Sequence, residues 1–179
     1  MLKENNKKGF SLLETMIAVA IIGIAIGGPY LVINRALSNF LDAENRFKAV
    51  FLAQEGMELV RNIRDNNFIN IVVGSAHLNT WDDGLTPGSC YEIDYNDSSL
   101  TPCSVDSLRN LKINSNGFYD YDDPSGTDTM FKRYIIISDC GSDCLEIRSI
   151  VKWNFKGEEN KYELVGRLYN WIQHYVPQF

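Results

Sequence analysis

The stretch of sequence that decides the fold is the apolar segment at residues 10–33, FSLLETMIAVAIIGIAIGGPYLVI. Its only ionisable side chain is that of Glu14, and residues 15–33 form an unbroken run of 19 uncharged residues. As an α-helix this run would be about 28 Å long, which matches the hydrocarbon core of a bilayer. The segment therefore predicts one membrane-spanning helix near the amino terminus.

The charges before this segment predict its orientation. Lys3, Lys7 and Lys8 precede it, with Glu4 as the only acidic residue among them. Under the positive-inside rule this basic flank stays in the cytoplasm, so we expect the rest of the chain on the other side of the membrane. Two alternatives are a plain membrane anchor and a cleaved secretory signal, for which residues 18–20 (Ala-Val-Ala) offer a small-residue cleavage site. A buried core helix is disfavoured by the length of the run.

Glu14 is an ionisable residue inside the predicted membrane helix. At the bilayer centre a carboxylate costs about 2.5–3.5 kcal/mol, and near an interface it costs less. An intramembrane charge indicates a functional site with a partner. The alternative is that Glu14 lies at the level of the headgroups, partly hydrated and at little cost.

Residues 7–14 read Lys7-Lys8-Gly9-Phe10-Ser11-Leu12-Leu13-Glu14. With the apolar run they resemble the cleavage and methylation signature of type IV prepilins and type II secretion pseudopilins. The resemblance implies that a leader of residues 1–9 is removed between Gly9 and Phe10, and that Phe10 is then N-methylated. Motif-level similarity covers about residues 7–33, and a weaker likeness continues to about residue 68.

The same resemblance implies a role for Glu14 in assembly. Cleavage would leave an ammonium group at Phe10, and four residues span about 6 Å, or one turn, of a helix. In the resembled family the carboxylate corresponding to Glu14 is thought to meet the amino terminus of a neighbouring subunit. An ion pair within one chain is the alternative.

The resemblance further implies an α+β, pilin-like fold. A long amino-terminal helix, with a filament-core half at residues 10–33 and an amphipathic half at 34–68, would pack on an antiparallel β-sheet head at residues 69–179. Residues 52–61, LAQEGMELVR, look more like minor pilins and minor pseudopilins than like major ones.

The implied function is that of a structural subunit, not an enzyme, in a type IV pilus-like or type II secretion filament. The implied partners are other pilin or pseudopilin subunits, the prepilin peptidase and methyltransferase, the inner-membrane assembly platform, and membrane lipid before assembly. The implied location is the inner membrane, with the head outside the cytoplasm, and then an envelope or cell-surface filament. The competing hypothesis is a single-pass membrane protein that holds an extracytoplasmic binding module and does not polymerise.

Gly27, Gly28 and Pro29 predict a break in the first half of the helix. Proline lacks a backbone donor and disfavours helix at the preceding residue, and each glycine lowers helix propensity by about 1 kcal/mol. The break would be either a kink or a melted segment.

Residues 35–68 again have helical spacing, and we expect this helix to end at residues 65–67 (Asp-Asn-Asn). Its apolar stripe is predicted to pack on its own domain, with a filament contact as the alternative. Gly56 either permits a close backbone approach or is a tolerated weak point. The stripe consists of Leu37, Phe40, Leu41, Phe47, Val50, Phe51, Met57, Val60 and Ile63.

Beyond residue 74 the sequence alternates between short apolar segments and turn residues. Strands are predicted at residues 91–95, 118–121, 131–138, 145–155 and 162–171. The connections are short, which favours an antiparallel meander over a parallel sheet.

The four cysteines all follow the membrane segment, on the predicted extracytoplasmic side, where disulfides persist. Three pairings are possible, and we expect the nearest-neighbour one, Cys90 with Cys103 and Cys140 with Cys144. The first bond would contribute roughly 3 kcal/mol in the loop-entropy model. The cysteine spacing does not favour zinc.

No other chemistry is indicated by the sequence. The net charge of −6 gives no general reason to bind duplex nucleic acid. Acidic turns at residues 120–123 and 139–143 offer oxygen ligands for calcium, but they lack EF-hand spacing, and solvated turn carboxylates are the expected explanation. His77 and His174 lie in no catalytic or metal-binding motif, so we expect neither cofactor nor metal.

Overall fold

The structure, a computed structural model, describes residues 9–73 and 80–171. It forms two compact units, which divide between Glu44 and Asn45. Helix α1, Leu12–Val73, contributes to both units, whereas every described strand lies in the second. In the second unit the helix packs on an antiparallel sheet, which is the α+β, pilin-like layout predicted from the sequence.

Two antiparallel sheets form the head. The larger sheet has the strand order β2-β1-β6-β7-β8, and the smaller one has the order β4-β3-β5. Strands β6 to β8 form the predicted meander, but β1 joins β6 only after an excursion that contains β2 to β5. The strands are β1 Gly88–Glu92, β2 Thr101–Pro102, β3 Lys112–Ile113, β4 Tyr119–Asp120, β5 Thr127–Asp128, β6 Phe131–Gly141, β7 Cys144–Phe155 and β8 Glu158–Tyr169, with a 3-10 turn at Val105–Ser107.

The long strands correspond to the predicted ones and differ at their ends. Strand β8 begins at Glu158 because Lys156 and Gly157 alone make the turn from β7, with φ of 56° and 84°. Positive φ at both central residues gives a two-residue hairpin whose twist matches that of the strands. Of the other predicted strands, the first lies three residues earlier, as β1, and the second shortens to β4; β2, β3 and β5 were not predicted.

Helix α1 ends at Val73 and not at the predicted residues 65–67. The amide of buried Asn67 donates hydrogen bonds to the backbone oxygens of Trp81 (3.1 Å) and Asp83 (2.8 Å). Phe68 is also buried and stacks near Trp81, at 6.4 Å between ring centroids. The predicted end at residues 65–67 was wrong. Asp and Asn are common at helix ends, but here Asn67 and Phe68 make tertiary contacts that favour continuation of the helix.

Helix α1 also runs through Gly27, Gly28 and Pro29 as α-helix. The predicted melted segment is therefore wrong. Proline inside a helix removes one backbone donor and leaves the remaining hydrogen bonds in place, which a membrane-type helix tolerates. A kink at Pro29 stays a prediction.

Gly56 lies at a close approach between α1 and the sheet. A Cβ atom at this position would be 2.7 Å from Ser149 Oγ, 3.1 Å from Arg133 Cδ and 3.1 Å from Ile135 Cδ1. Of the two interpretations of Gly56, the structure supports the close approach. The main core surrounds this contact and consists of Met57, Val60, Phe68, Trp81, Leu85, Ile93, Ile135, Ile137, Leu145, Ile147 and Leu168.

We predict that Gly56→Ala lowers the free energy of unfolding by about 1–2 kcal/mol, because overpacking outweighs the gain of about 1 kcal/mol in helix propensity. Denaturant unfolding of the detergent-solubilised chain measures this change. Adding Ser149→Ala removes the nearest clashing atom and should recover part of the loss. Gln54→Ala, at an exposed position of the same helix, serves as a control and should change stability by less than about 0.5 kcal/mol. A more stable Gly56→Ala variant would show that the approach does not constrain the helix.

Candidate functional site

The described chain begins with Gly9 and Phe10, which precede α1. Ser11 caps the helix: its Oγ accepts a hydrogen bond from the backbone N–H of Glu14 (3.2 Å), and its carbonyl oxygen accepts one from Thr15 N–H (3.2 Å). Glu14 is the third residue of α1, so Ser11 and Glu14 have the Ser-x-x-Glu spacing of a capping box. This signal was present in the sequence and was not used in our predictions.

The position of the cap changes the expected geometry around Glu14. Phe10 lies before the cap and outside the helix, so Phe10 and Glu14 are not one helical turn apart as assumed from the sequence. Glu14 itself lies in the first turn, where a negative charge is favourable to the helix dipole by roughly 0.3–1 kcal/mol.

In the first unit, no other described part of the chain packs against the apolar half of α1. Among the described residues, α1 is the one helix that is long and apolar enough to cross a membrane, by length and composition, and none of its apolar window is buried. Its side chains are exposed along the whole segment, from Phe10 at 81% to Ile33 at 63%. A helix that is apolar on every side and uncovered is suited to lipid or to other apolar helices.

In the second unit α1 has two apolar faces. Leu52, Met57 and Val60 are buried against the sheet, whereas Phe47 and Phe51 are each 66% exposed. At 100° per residue the two faces lie roughly 180° apart around the helix. The prediction that the whole stripe packs on its own domain is therefore wrong, because helical spacing alone does not tell which of two faces is covered. Leu37, Phe40 and Leu41 are exposed in the first unit.

A buried arginine fixes the helix to the sheet. The side chain of Arg133 is 1% exposed, and it donates hydrogen bonds to the backbone oxygens of Leu52 (3.1 Å) and Ile93 (2.6 Å). Its Nη1 also lies 3.2 Å from Oε1 of Glu55, on the helix. Arg133 thus links the helix, β6 and the segment after β1, and its charge is compensated by the half-buried carboxylate of Glu55.

The acidic residues at 120–123 each have another partner. Oδ1 of Asp120 accepts the backbone N–H groups of Asp122 and Asp123 (2.8 Å for the latter), and Oδ1 of Asp122 accepts Arg109 Nη1 (2.6 Å). Asp123 accepts the hydroxyl of Ser125, and the hydrogen bonds from Ser125 lower the pKa of Asp123. Within the described residues, no group of three His, Cys, Asp or Glu side chains is placed to hold a metal ion.

In the second acidic turn, Asp143 receives a hydrogen bond from the side chain of Asn170 (3.3 Å). Asp139 lies in β6 opposite Leu145. Lys3, Lys7, Lys8, His77 and His174 lie outside the described residues.

Two disulfides join the cysteines in the expected nearest-neighbour pairing. Cys90 is bonded to Cys103 and Cys140 to Cys144. The first bond holds the segment after β2 over a small cluster of Cys90, Leu108, Tyr134 and Ile150. The second closes the tight turn between β6 and β7. Because Tyr134 and Ile135 are neighbours in β6 and both are buried, the centre of the sheet is covered on both faces.

Residues 5–28 match the family model described as the prokaryotic N-terminal methylation motif. The match shows that the chain has a leader of the type IV pilin and pseudopilin class, whose members are structural proteins processed by a prepilin peptidase. The motif and the long helix on an antiparallel head are features of pilin- and pseudopilin-type proteins, and the apolar helix is consistent with a single-pass membrane anchor. No curated protein and no solved structure is significantly similar to the chain.

We predict a pH dependence from Tyr121, whose hydroxyl donates to the backbone oxygen of Arg133 (2.7 Å). Burial raises the pKa of Tyr121 from 10.0 to about 12. The unfolded chain releases this proton near pH 10 and the folded chain keeps it to higher pH, so the stability present below pH 10 is lost as pH rises to 12. The expected loss is about 2–3 kcal/mol.

The measurement is denaturant unfolding at pH 9 and pH 12 for the wild-type chain and for Tyr121→Phe. The wild type should lose about 2–3 kcal/mol more unfolding free energy between the two pH values than Tyr121→Phe does. Tyr95→Phe, at an exposed position, should behave like the wild type. Equal losses in the wild type and Tyr121→Phe would contradict the prediction.

Proposed function

We propose that this protein is a subunit, of the minor pilin or pseudopilin kind, of a type IV pilus-like or type II secretion filament. The single observation that carries the proposal is the methylation-motif match at residues 5–28, of which residues 12–28 belong to an apolar helix that no other part of the described chain covers. Exposed apolar surface of this extent is stable only in lipid or against other apolar helices. In the proposed cycle the helix crosses the inner membrane first and later packs with other subunits.

Processing is the first step of the proposed cycle. Prepilin peptidase would cut between Gly9 and Phe10 from the cytoplasmic side, and Phe10 would be N-methylated. The head, with its two disulfides, would lie outside the cytoplasm, where such bonds persist. The inner-membrane assembly platform and the other pilin-type subunits are the proposed partners.

In assembly, Glu14 would pair with the amino-terminal ammonium of a neighbouring subunit. Opposite charges attract far more strongly in a low-dielectric surrounding than in water, and each is costly there without a partner. Support for a partner from another chain is that Phe10 lies outside the helical turn that contains Glu14. The side chain of Ser11 caps the helix by accepting the backbone N–H of Glu14. This cap does not use the carboxylate of Glu14, which is therefore available to another partner.

We expect mass spectrometry of the membrane-extracted protein, from cells with the matching peptidase, to give a chain that begins at N-methyl-Phe10. Gly9→Leu is the control variant and should block cleavage. A wild-type chain that keeps Met1, or one cut after the apolar run, would exclude the pilin-type cycle. It would favour the competing hypothesis, an anchored binding module that does not polymerise.

A second prediction separates the charge of Glu14 from its place in the capping box. Both Glu14→Ala and Glu14→Gln should lower incorporation into filaments roughly tenfold or more, because both leave a buried ammonium unpaired. Ser11→Ala removes the cap, costs about 1 kcal/mol of helix stability, and should leave incorporation nearly unchanged.

Incorporation is measured as the ratio of sheared filament fraction to membrane fraction, with cleavage checked for each variant. Glutamine can replace glutamate in a capping box. If Glu14→Gln incorporated normally and Ser11→Ala did not, Glu14 would act through the cap and the pairing proposal would fail.

A further inference from the structure

The connection between strands β1 and β2 contains the sequence Asn96-Asp97-Ser98. Asparagine, then any residue except proline, then serine or threonine is the acceptor sequence for N-linked glycosylation. No other asparagine in the sequence has serine or threonine two positions later. Because the motif is short, it indicates a modification site only where the folded protein presents it on an exposed segment.

The structure presents the whole acceptor sequence at the surface. Asn96, Asp97 and Ser98 are all exposed, whereas Ile93 and Asp94, which precede them, are buried. Within the described residues, neither the side-chain amide of Asn96 nor the hydroxyl of Ser98 has a hydrogen-bond partner. The two groups on which the motif depends are therefore available to an enzyme.

The backbone of this turn is held by local contacts and not by the sheet. Oδ1 of Asp94 accepts the backbone N–H of Asn96 (3.3 Å), and Oδ2 of Asp97 accepts the backbone N–H of Asp94 (3.0 Å). Strand β1 ends at Glu92 and β2 begins at Thr101, so the acceptor sequence takes no part in strand pairing. An enzyme can rearrange the turn at the cost of these local hydrogen bonds without opening the sheet.

We propose that Asn96 is the acceptor of an N-linked glycan on the extracytoplasmic head. This inference rests on the location of the head in the proposed function, a location that the competing anchored binding module shares. The donor is an oligosaccharide joined through a diphosphate to a membrane lipid. In the transfer, Nδ2 of Asn96 forms a bond to the anomeric carbon of the first sugar, while the bond from that carbon to the diphosphate oxygen breaks. The bonding electrons leave with the lipid diphosphate, and a base of the transferring enzyme takes one amide proton.

An exposed aromatic pair lies beside the proposed acceptor. Tyr95 is 42% exposed and Phe118 is 53% exposed, and their rings stack at 5.0 Å between centroids. Tyr95 directly precedes Asn96, so the Cα atoms of the two residues are about 3.8 Å apart. The apolar faces of sugar rings pack on aromatic side chains, which are large and rigid. The first sugars on Asn96 would therefore be within reach of apolar surface that the folded head leaves in water.

The test is peptide mass spectrometry of the full chain, extracted from the membranes of the cells that naturally produce it. We expect the peptide that contains Asn96 to carry a glycan. Asn96→Gln should abolish the modification, because it removes the acceptor nitrogen. Ser98→Ala should abolish it as well, whereas Ser98→Thr should retain it, because the motif requires a hydroxyl at this position.

The same turn supplies a matched control. Ser99→Ala removes an exposed hydroxyl one residue after the acceptor sequence and should leave the glycan in place. Asn116→Gln, at an exposed position without the motif, should also leave it in place. Retention of the Cys90–Cys103 disulfide, which links the strand before this turn to the segment after β2, shows that the head of each variant is folded.

An unmodified Asn96 in the wild-type protein would overturn the proposal. So would a glycan that survives Asn96→Gln, since it would be attached to another residue. The same digest also reports the amino terminus. A chain that begins at N-methyl-Phe10 with an unmodified Asn96 contradicts the glycan and not the pilin-type cycle, and a glycosylated chain that keeps Met1 contradicts the cycle and not the glycan.

Discussion

The contact between Gly56 of α1 and the sheet is the constraint on which the rest of the head depends. Ser149, Arg133 and Ile135 approach this position so closely that a methyl group would collide with them. Arg133 adds hydrogen bonds to the helix backbone at Leu52 and to Ile93. Together these contacts set the rotation of the helix about its axis, and so they decide which of its apolar residues enter the core.

The same constraint decides what is left outside. With Leu52, Met57 and Val60 turned to the sheet, Phe47 and Phe51 have no place in the core of their own head. The head has a core on the helix side of its sheet and a disulfide-held cluster on the other face. A folded head and separate uncovered apolar surfaces are what a subunit needs if its remaining contacts come from other molecules.

The parts predictable from the sequence are those with local signals. The leader, the apolar helix and strands β6 to β8 follow from residue type and spacing, and the cysteine pairing followed from nearness in the chain. Avoiding the errors would have required tertiary information. Asn67 is a residue type that signals a helix end, but here its side chain donates a hydrogen bond to the backbone of Trp81. Phe47 and Phe51 have the helical spacing of core residues, but they lie on the side of the helix that faces away from the sheet. Two-residue strands such as β3 exist only through partners distant in sequence.

The energetics of Glu14 link the cap to assembly. Its carboxylate near the helix start gains roughly 0.3–1 kcal/mol from the dipole, and a capping box is worth about 1 kcal/mol, part of which Ser11 supplies alone. A carboxylate deep in a bilayer costs about 2.5–3.5 kcal/mol. The local gains do not offset that cost if the residue leaves the headgroup region, so an embedded Glu14 needs a cationic partner. In the proposed cycle, the ammonium freed at Phe10 of another chain would supply that positive charge, and this pairing would couple cleavage to assembly.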